Sequence, residues 1–394
     1  MIIRRAFKFK LEPNDEQSAR LRVLCGHSRF VWNNALAECN RMLKAGEGIP
    51  SYYRYGGTAS WIGHWKEQED TSFLKEGYTD CYQQKLKDLA TAWSRYFDKS
   101  LQAERPRFKR KGKKSDSIRF VNFNKYCAIE GRRVKLPAKL GFVKFRKSKN
   151  ITGEIRSCTL SCAGDNWWIS FQTKEEVADP VHTSKTAIGI DVGIAKFVAQ
   201  SDGVIFKAIS PFRKYQDRLA KEQRKLSKKK KFSCNWRKQK AKIRKIHSKI
   251  ASIRRDYLHK TSAEISKNHA MIAIEDLRIK NMSKSAKGTV EKPGKNVKAK
   301  SGLNKSILDQ GWYEFRRQLE YKQLWRGGIV VAVNPAYTSQ AYPKCPTVSA
   351  DNRLTQADFK CINCGYENNA DVVGAINILE RGHRFLACGE QLDH

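Results

Sequence analysis

The chain's 394 residues carry 77 Lys and Arg against 39 Asp and Glu, a formal charge of +38 that argues against an ordinary metabolic enzyme and for a polyanionic partner. Aromatic residues make up 10% of it, and their interleaving with basic ones fits a folded nucleic-acid binder rather than a solvated cationic tail. Behind MIIRRAFKFK there is no apolar signal segment, and no run of about 18 apolar residues could span a bilayer. The chain is therefore expected in the cytoplasm with no membrane partner, and its 11 cysteines are expected reduced, most of them, such as Cys39 and Cys81, serving as small core residues.

The length allows two to four domains. The opening RRAFKFKLEPN alternates as a strand does, and Asn14 with Gln17 three residues later makes a capping box at a helix start. Trp32, Leu36, Cys39 and Leu43 step four, three and four apart, and Leu86, Leu89, Trp93, Tyr96 and Phe97 repeat the pattern, so residues 15–104 read as helical around the loop GIPSYYRYGG. The run RPRFKRKGKK from Arg105 to Lys114 offers phosphate contacts and a ring. From Ser117 the period changes to two, in SIRFVNF, GRRVKLP, LGFVKFRK, EIRSCTLSC and NWWISFQT, which predicts a small β sandwich or barrel ending near Lys174.

After the linker EEVADPVHTSK, the stretch TAIGIDVGIAKFVAQSDG predicts two strands, and MIAIEDL and GGIVVAVNP two more, with helices between. Phe212, Tyr215 and Leu219 form one helical stripe and Ile243, Ile246, Ile250, Ile253 and Tyr257 another, broken at KKKKFSCN. This predicts a helical hairpin over 212–262 whose dense Lys and Arg faces, with the WRKQKAKIRK run from Trp236, meet nucleic acid. Residues 280–302, rich in Gly, Ser and Lys without periodicity, predict a mobile basic loop.

Three carboxylates sit against apolar segments: Asp191 in AIGID, Glu275 after MIAI, and Asp371 before the helical VVGAINIL. Carboxylates in such places are costly unless a cation offsets their desolvation. Two strands and a helix converging on Mg²⁺ would activate a water and stabilise the leaving oxygen of a phosphodiester. Asp276 competes with Glu275 as the inward group, and pattern leaves that choice open.

Residues 342–371 read as a zinc ribbon short of one ligand. Cys361 and Cys364 form a C-x-x-C knuckle, but the upstream half offers only Cys345, with Tyr342 three residues before it. Structural zinc takes four ligands, and a tyrosine is a poor substitute because its phenol stays protonated at neutral pH. Cys388 is a conceivable fourth ligand. Otherwise the hairpin is expected to be metal-free, held by packing of Tyr342 and Phe359. Zinc loss or partial occupancy is the expectation, because a missing ligand removes much of the chelate's folding energy.

The motifs IGIDVGIAKF, IAIEDLRIKNM, WYEFRRQLEYK, VNPAYTSQ, NRLTQADFKCINCG and NADVVGAINIL resemble, in order and spacing, the transposon-encoded TnpB family of RuvC-like proteins, relatives of type V CRISPR effectors. The resemblance is specific over about residues 183–380 and looser over the N-terminal half, where KLEPNDEQ and PRFKRKGK are similar to the family's opening and its recognition-to-wedge junction. It implies a multidomain α+β chain: a small β-barrel wedge domain (1–14 and 105–178), a helical recognition domain (15–104), and a RuvC-like nuclease domain of RNase H fold (183–394) with a degenerate zinc ribbon inserted at 338–368. It also implies Asp191, Glu275 and Asp371 as catalytic ligands of Mg²⁺ or Mn²⁺, a guide RNA from the transposon's end, and double-stranded target DNA read beside a short flanking motif. The chain departs from the family at Tyr342 and at Pro346, where glycine is usual. Alternative readings are an RNA-guided DNA binder that represses without cleaving, and a protein-only RuvC-like resolvase or transposase.

Overall fold

The computed structural model describes residues 1–53, 57–112, 116–163, 166–342, 344–345, 347–353, 355 and 357–388. The middle of the loop GIPSYYRYGG, the end of the basic run at Lys113 and Lys114, Pro346 of the ribbon and the last six residues of the nuclease segment lie outside them. The chain forms two compact units, Met1–Val177 and Ala178–His394.

In the first unit, strand β1 (Ile2–Glu12) feeds helix α1 (Asp15–Lys44) through the expected capping box: the Gln17 backbone N–H donates to Asn14 Oδ1 at 2.7 Å and the Asn14 N–H to Gln17 Oε1 at 3.2 Å. Helices α2 (Trp61–Glu67) and α3 (Thr79–Phe97) follow, then β2 (Asp116–Val121), the one-turn α4 (Phe123–Tyr126), β3 (Ala128–Glu130), β4 (Arg133–Leu136), β5 (Gly141–Phe145), β6 (Glu154–Ala163) and β7 (Asn166–Glu176). The strands make one seven-stranded antiparallel sheet in the order β2-β6-β7-β1-β5-β4-β3. Alternation buries Phe9 and Leu11 of β1 with Phe145 and Phe171, and the same core takes in Leu21, Leu24, Val31 and Leu36 of α1. Helices and sheet share one interior.

In the second unit, β8 (Ala187–Val192), β9 (Lys196–Gln200) and β10 (Ile205–Lys207) form a meander. Helices α5 (Pro211–Ser227) and α6 (Cys234–Asn268) make the hairpin, followed by β11 (Met271–Glu275), α7 (Ile279–Met282), α8 (Val297–Gln310), α9 (Trp312–Leu324), β12 (Ile329–Val333), the hairpin β13 (Asp358–Lys360) and β14 (Glu367–Asn369), and α10 (Ala370–Ala387). The five-stranded sheet runs β10-β9-β8-β11-β12, with β8, β11 and β12 parallel. On one face Ile188, Ile190, Val192, Ile272 and Ile274 pack with Leu258 and Ile265 of α6 and Phe315 and Leu319 of α9. On the other, Met271, Ala273, Val331 and Val333 pack with Ile378 of α10.

One expectation is corrected. The basic segment 280–302 is not irregular to its end, because α8 begins at Val297. The helix is anchored from beyond: Ile307 is buried, and Asp309 Oδ2 accepts the Phe212 N–H at 2.8 Å at the start of α5. Lys300 Nζ and Asn304 Nδ2 further tie α8 to the carbonyls of Met282 and Ser283. A docked C-terminal half propagates helix backwards through Lys and Ala residues that form it readily. Among the described residues no helix is long and apolar enough to cross a membrane.

Candidate active site and cysteine cluster

Strand parity decides which way the acids point. In the β8/β11 ladder Ala273 lies opposite Gly189 and Ile274 opposite Ile190, so the same register sets Glu275, the last residue of β11, beside Asp191, one residue before the end of β8. Ile190 and Ile274 face α6 and α9, which turns the two carboxylates to the opposite face, toward α10. Asp276, the competitor left open by pattern, points the other way and pairs with Arg316 at 2.5 Å.

Helix α10 meets that face closely because glycines allow it. A Cβ on Gly189 would stand 2.0 Å from the Ala375 carbonyl oxygen, and one on Gly382 would stand 2.7 Å from Ala273 Cβ. Asp371 occupies the first turn of α10, where Asn369 caps the helix by accepting the Asp371 N–H at 3.2 Å; the helix dipole favours a carboxylate there. Lys196 Nζ lies 3.3 Å from Asp371 Oδ2 and 2.9 Å from Asn369 Oδ1, and the Arg353 guanidinium lies 3.7 Å from Asp371 Oδ1.

Glu275 is held by Thr338, whose hydroxyl donates to its Oε1 at 2.7 Å. The segment carrying Thr338 is itself held by α10: the buried Asn377 amide donates to the carbonyls of Thr338 and Ala341, and Arg381 donates to those of Asn334 and Ala336. One helix thus supplies the third acid and fixes the support of the second. Lys196, Thr338, Arg353 and Asn377 were not singled out from sequence, although each lies within or beside a motif that was; their roles depend on loop conformation, which leaves no periodic signal.

Burial pushes the Asp191 carboxyl up to about 7, reinforced by the facing charges of Glu275 and Asp371 and only partly offset by Arg353. Burial also raises Glu275, against the Thr338 hydrogen bond and Arg381. Mutually repelling, half-buried carboxylates at the carboxyl ends of parallel strands fit a divalent cation, which would relieve the repulsion. They stand further apart than the cysteines below: among the described residues, the only His, Cys, Asp or Glu trio with ligand atoms all within 4.8 Å of one another is Cys345, Cys361 and Cys364.

Those cysteines gather beside the β13/β14 hairpin. Cys345 and Cys361 are buried with their sulfurs 3.7 Å apart, and Cys364 is exposed. Asn363 donates to Cys345 Sγ at 3.3 Å, and this bond leads the contributions, with Thr347, that bring the Cys345 thiol down to about 6. The donor set fits three of zinc's four ligands.

One expectation about the fourth position is corrected. Cys388 caps the far end of α10, whereas Ala370 at its near end packs with Cys345 and Cys361; about 1.5 Å of rise per residue puts Cys388 roughly 25 Å from Ala370. Tyr342 stacks on Tyr366, with ring centroids 3.9 Å apart and planes 6° from parallel. Phe359 is buried in the cluster of Cys345, Cys361, Ala370 and Val373, and Tyr342 packs against the same cluster, as the reading of a hairpin held by these two rings expects.

Family profiles match three stretches: "Probable transposase" over residues 170–286, "Cas12f1-like, TNB domain" over 312–378, and "Helix-turn-helix domain" over 1–48. In this chain the last stretch folds as β1 and the single 30-residue helix α1. A solved structure titled "Structure of the mini-RNA-guided endonuclease CRISPR-Cas_phi3" aligns at 12% identity over 96% of this chain and 92% of that one, with a TM-score of 0.40. A curated protein of Streptomyces pristinaespiralis, "Putative RNA-guided DNA endonuclease", is 30% identical over 98% of this chain and 92% of its own length. "Putative RNA-guided DNA endonuclease InsQ" of Escherichia coli (strain K12) is 51% identical over 98% of this chain and 94% of its own. With relatives this similar along nearly its whole length, the chain belongs to the transposon-encoded OrfB/TnpB family.

Proposed function

We propose that the chain is an RNA-guided DNA endonuclease of a transposon, cleaving double-stranded DNA beside a short flanking motif through a site built on Asp191, Glu275 and Asp371. The observation that carries this reading is the placement of Asp191 and Glu275 side by side at the ends of parallel strands, beneath a helix whose first turn bears Asp371. The names of the full-length relatives support the same activity. The three carboxylates would hold Mg²⁺ or Mn²⁺, which would supply a lowered pKa for a bound water and charge stabilisation for a leaving oxygen.

The chain's own residues prepare that site. Thr338 orients Glu275, Lys196 and Arg353 steady Asp371, and Gly374 leaves Asp191 room beside α10. The seven-stranded sheet would serve as the wedge domain and the helices between Asp15 and Phe97 as the recognition domain, with the basic hairpin α5/α6 lying on nucleic acid. The cysteine hairpin has a structural part: it packs on Ala370 and Val373, fixing the entry to α10 and so the position of the third acid. The test is to purify the protein and sequence what comes with it. A structured RNA with a variable 3′ end is expected, whereas a preparation free of nucleic acid that still cuts DNA without added RNA would favour the protein-only resolvase.

A further inference from the structure

The tip of the α5/α6 hairpin carries a feature its basic character does not explain. Phe232 sits there 65% exposed, with its backbone in the left-handed region at φ +68°. A bulky side chain is a steric outlier in that region, where glycine is the usual choice. The ring is therefore held out to solvent at a conformational cost, and local strain at an exposed residue points to use.

The surroundings are built rather than frayed. Ser233 accepts the Trp236 N–H at 3.1 Å and caps α6. Just below, the buried Gln239 amide donates to the Glu222 carbonyl at 3.0 Å and to its carboxylate at 2.6 Å, clamping the two helices together. Leu219, Ile243, Ile246 and Ile250 continue the seam. Trp236 lies 5.5 Å from Phe232 at 56°, Lys240 stands over the Trp236 ring at 4.8 Å, and Lys231 stands over Phe232 at 6.0 Å. No Asp or Glu occurs between Glu222 and Asp256, against fifteen Lys and Arg, so an anionic partner meets no opposing charge at the tip.

We propose that Phe232, backed by Trp236, is a stacking platform for an unpaired or helix-terminal nucleobase of a bound nucleic acid, while Lys228 to Lys231 contact the flanking phosphates. The platform rests on the reading of the hairpin as a nucleic-acid surface, and adds recognition of base faces to that of charge. Aromatic–base stacking suits such a site because every base has a π-face, whereas the lysines alone would bind any polyanion.

The experiment uses the full chain, purified free of nucleic acid and titrated with single-stranded RNA and single-stranded DNA of one sequence, each labelled with 2-aminopurine, over a range of salt. Phe232→Ala is expected to weaken binding by about 5- to 100-fold without altering the salt slope, and Phe232→Trp to restore it. Lys230→Ala is expected instead to reduce the slope by roughly 0.7 to 0.9. Phe232→Gly separates stacking from folding: glycine relieves the left-handed backbone, so the thermal midpoint should hold or rise while affinity falls. Loss confined to the RNA arm or to the DNA arm identifies which strand supplies the base. Wild-type affinity of the Phe232 variants for both strands would overturn the platform while leaving the basic surface intact; failure of the wild-type chain to bind either strand would overturn both.

Discussion

Gly374 lies one helical turn beyond Asp371 on α10 and faces the carboxylate of Asp191, where a Cβ would stand 3.3 Å from Asp191 Oδ2. The contact separates two effects that usually travel together. Alanine is favoured over glycine within a helix by about 0.5–1 kcal/mol, but here its methyl group must displace a catalytic candidate by a few tenths of an ångström. Gly374→Ala is expected to keep or raise the thermal midpoint while lowering the cleavage rate several-fold, measured on the same preparation.

The raised Asp191 carboxyl gives a pH signature. Its folded pKa of about 7 exceeds the unfolded 3.8, so between these values the native state binds more protons than the unfolded one, and stability contributed by the protonated group falls as pH rises through 7. A divalent ion competes with that proton. The rise in thermal midpoint on adding Mg²⁺ should therefore be larger at pH 8 than at pH 6, and Asp191→Asn should flatten the difference. A pH-independent shift in the wild type would contradict the assignment.

Asn377 is the hinge pin between α10 and the Thr338 segment. Removing its amide takes a donor from the buried carbonyl of Thr338 and from the half-buried one of Ala341, at about 1–3 kcal/mol. Asn377→Leu is expected to lower stability by that order and to lower cleavage further than Gly374→Ala, because the hold on Glu275 loosens; chemical denaturation and cleavage kinetics check the two halves.

Three converging thiols with no fourth His, Cys, Asp or Glu ligand among the described residues should hold zinc weakly. Elemental analysis of the purified chain is expected to find well under one zinc per molecule. Cys361→Ser should lower stability, since Cys361 is buried with Phe359, Ala370 and Val373, without abolishing cleavage. Stoichiometric zinc that survives mild chelation would mean that a fourth ligand is supplied.

The legible parts of this protein were those in which one residue's environment follows from its neighbours. AIGID and MIAIE announce apolar strands ending in acids, and the stripes through Leu219 and Ile243 to Ile250 announce a hairpin. What could not be read depends on partners distant in sequence. The Lys-rich start of α8 is helical because Ile307 and Asp309 dock elsewhere. The close seat of α10 depends on Gly189 meeting Ala375 of the helix, and the stacking of Tyr342 on Tyr366 joins residues 24 apart in sequence.

The central claim is that Asp191, Glu275 and Asp371 cut DNA that an RNA has selected, and the most direct measurement compares Asp191→Ala with wild type for cleavage and for RNA-dependent DNA binding in one assay. Affinity rests on phosphate contacts and base pairing away from the acids, so the variant should bind within about two-fold of wild type on that account while cleavage disappears, and Ca²⁺ in place of Mg²⁺ should do the same to the wild type. Cleavage that persists in Asp191→Ala, or binding that is lost together with cleavage, would contradict it.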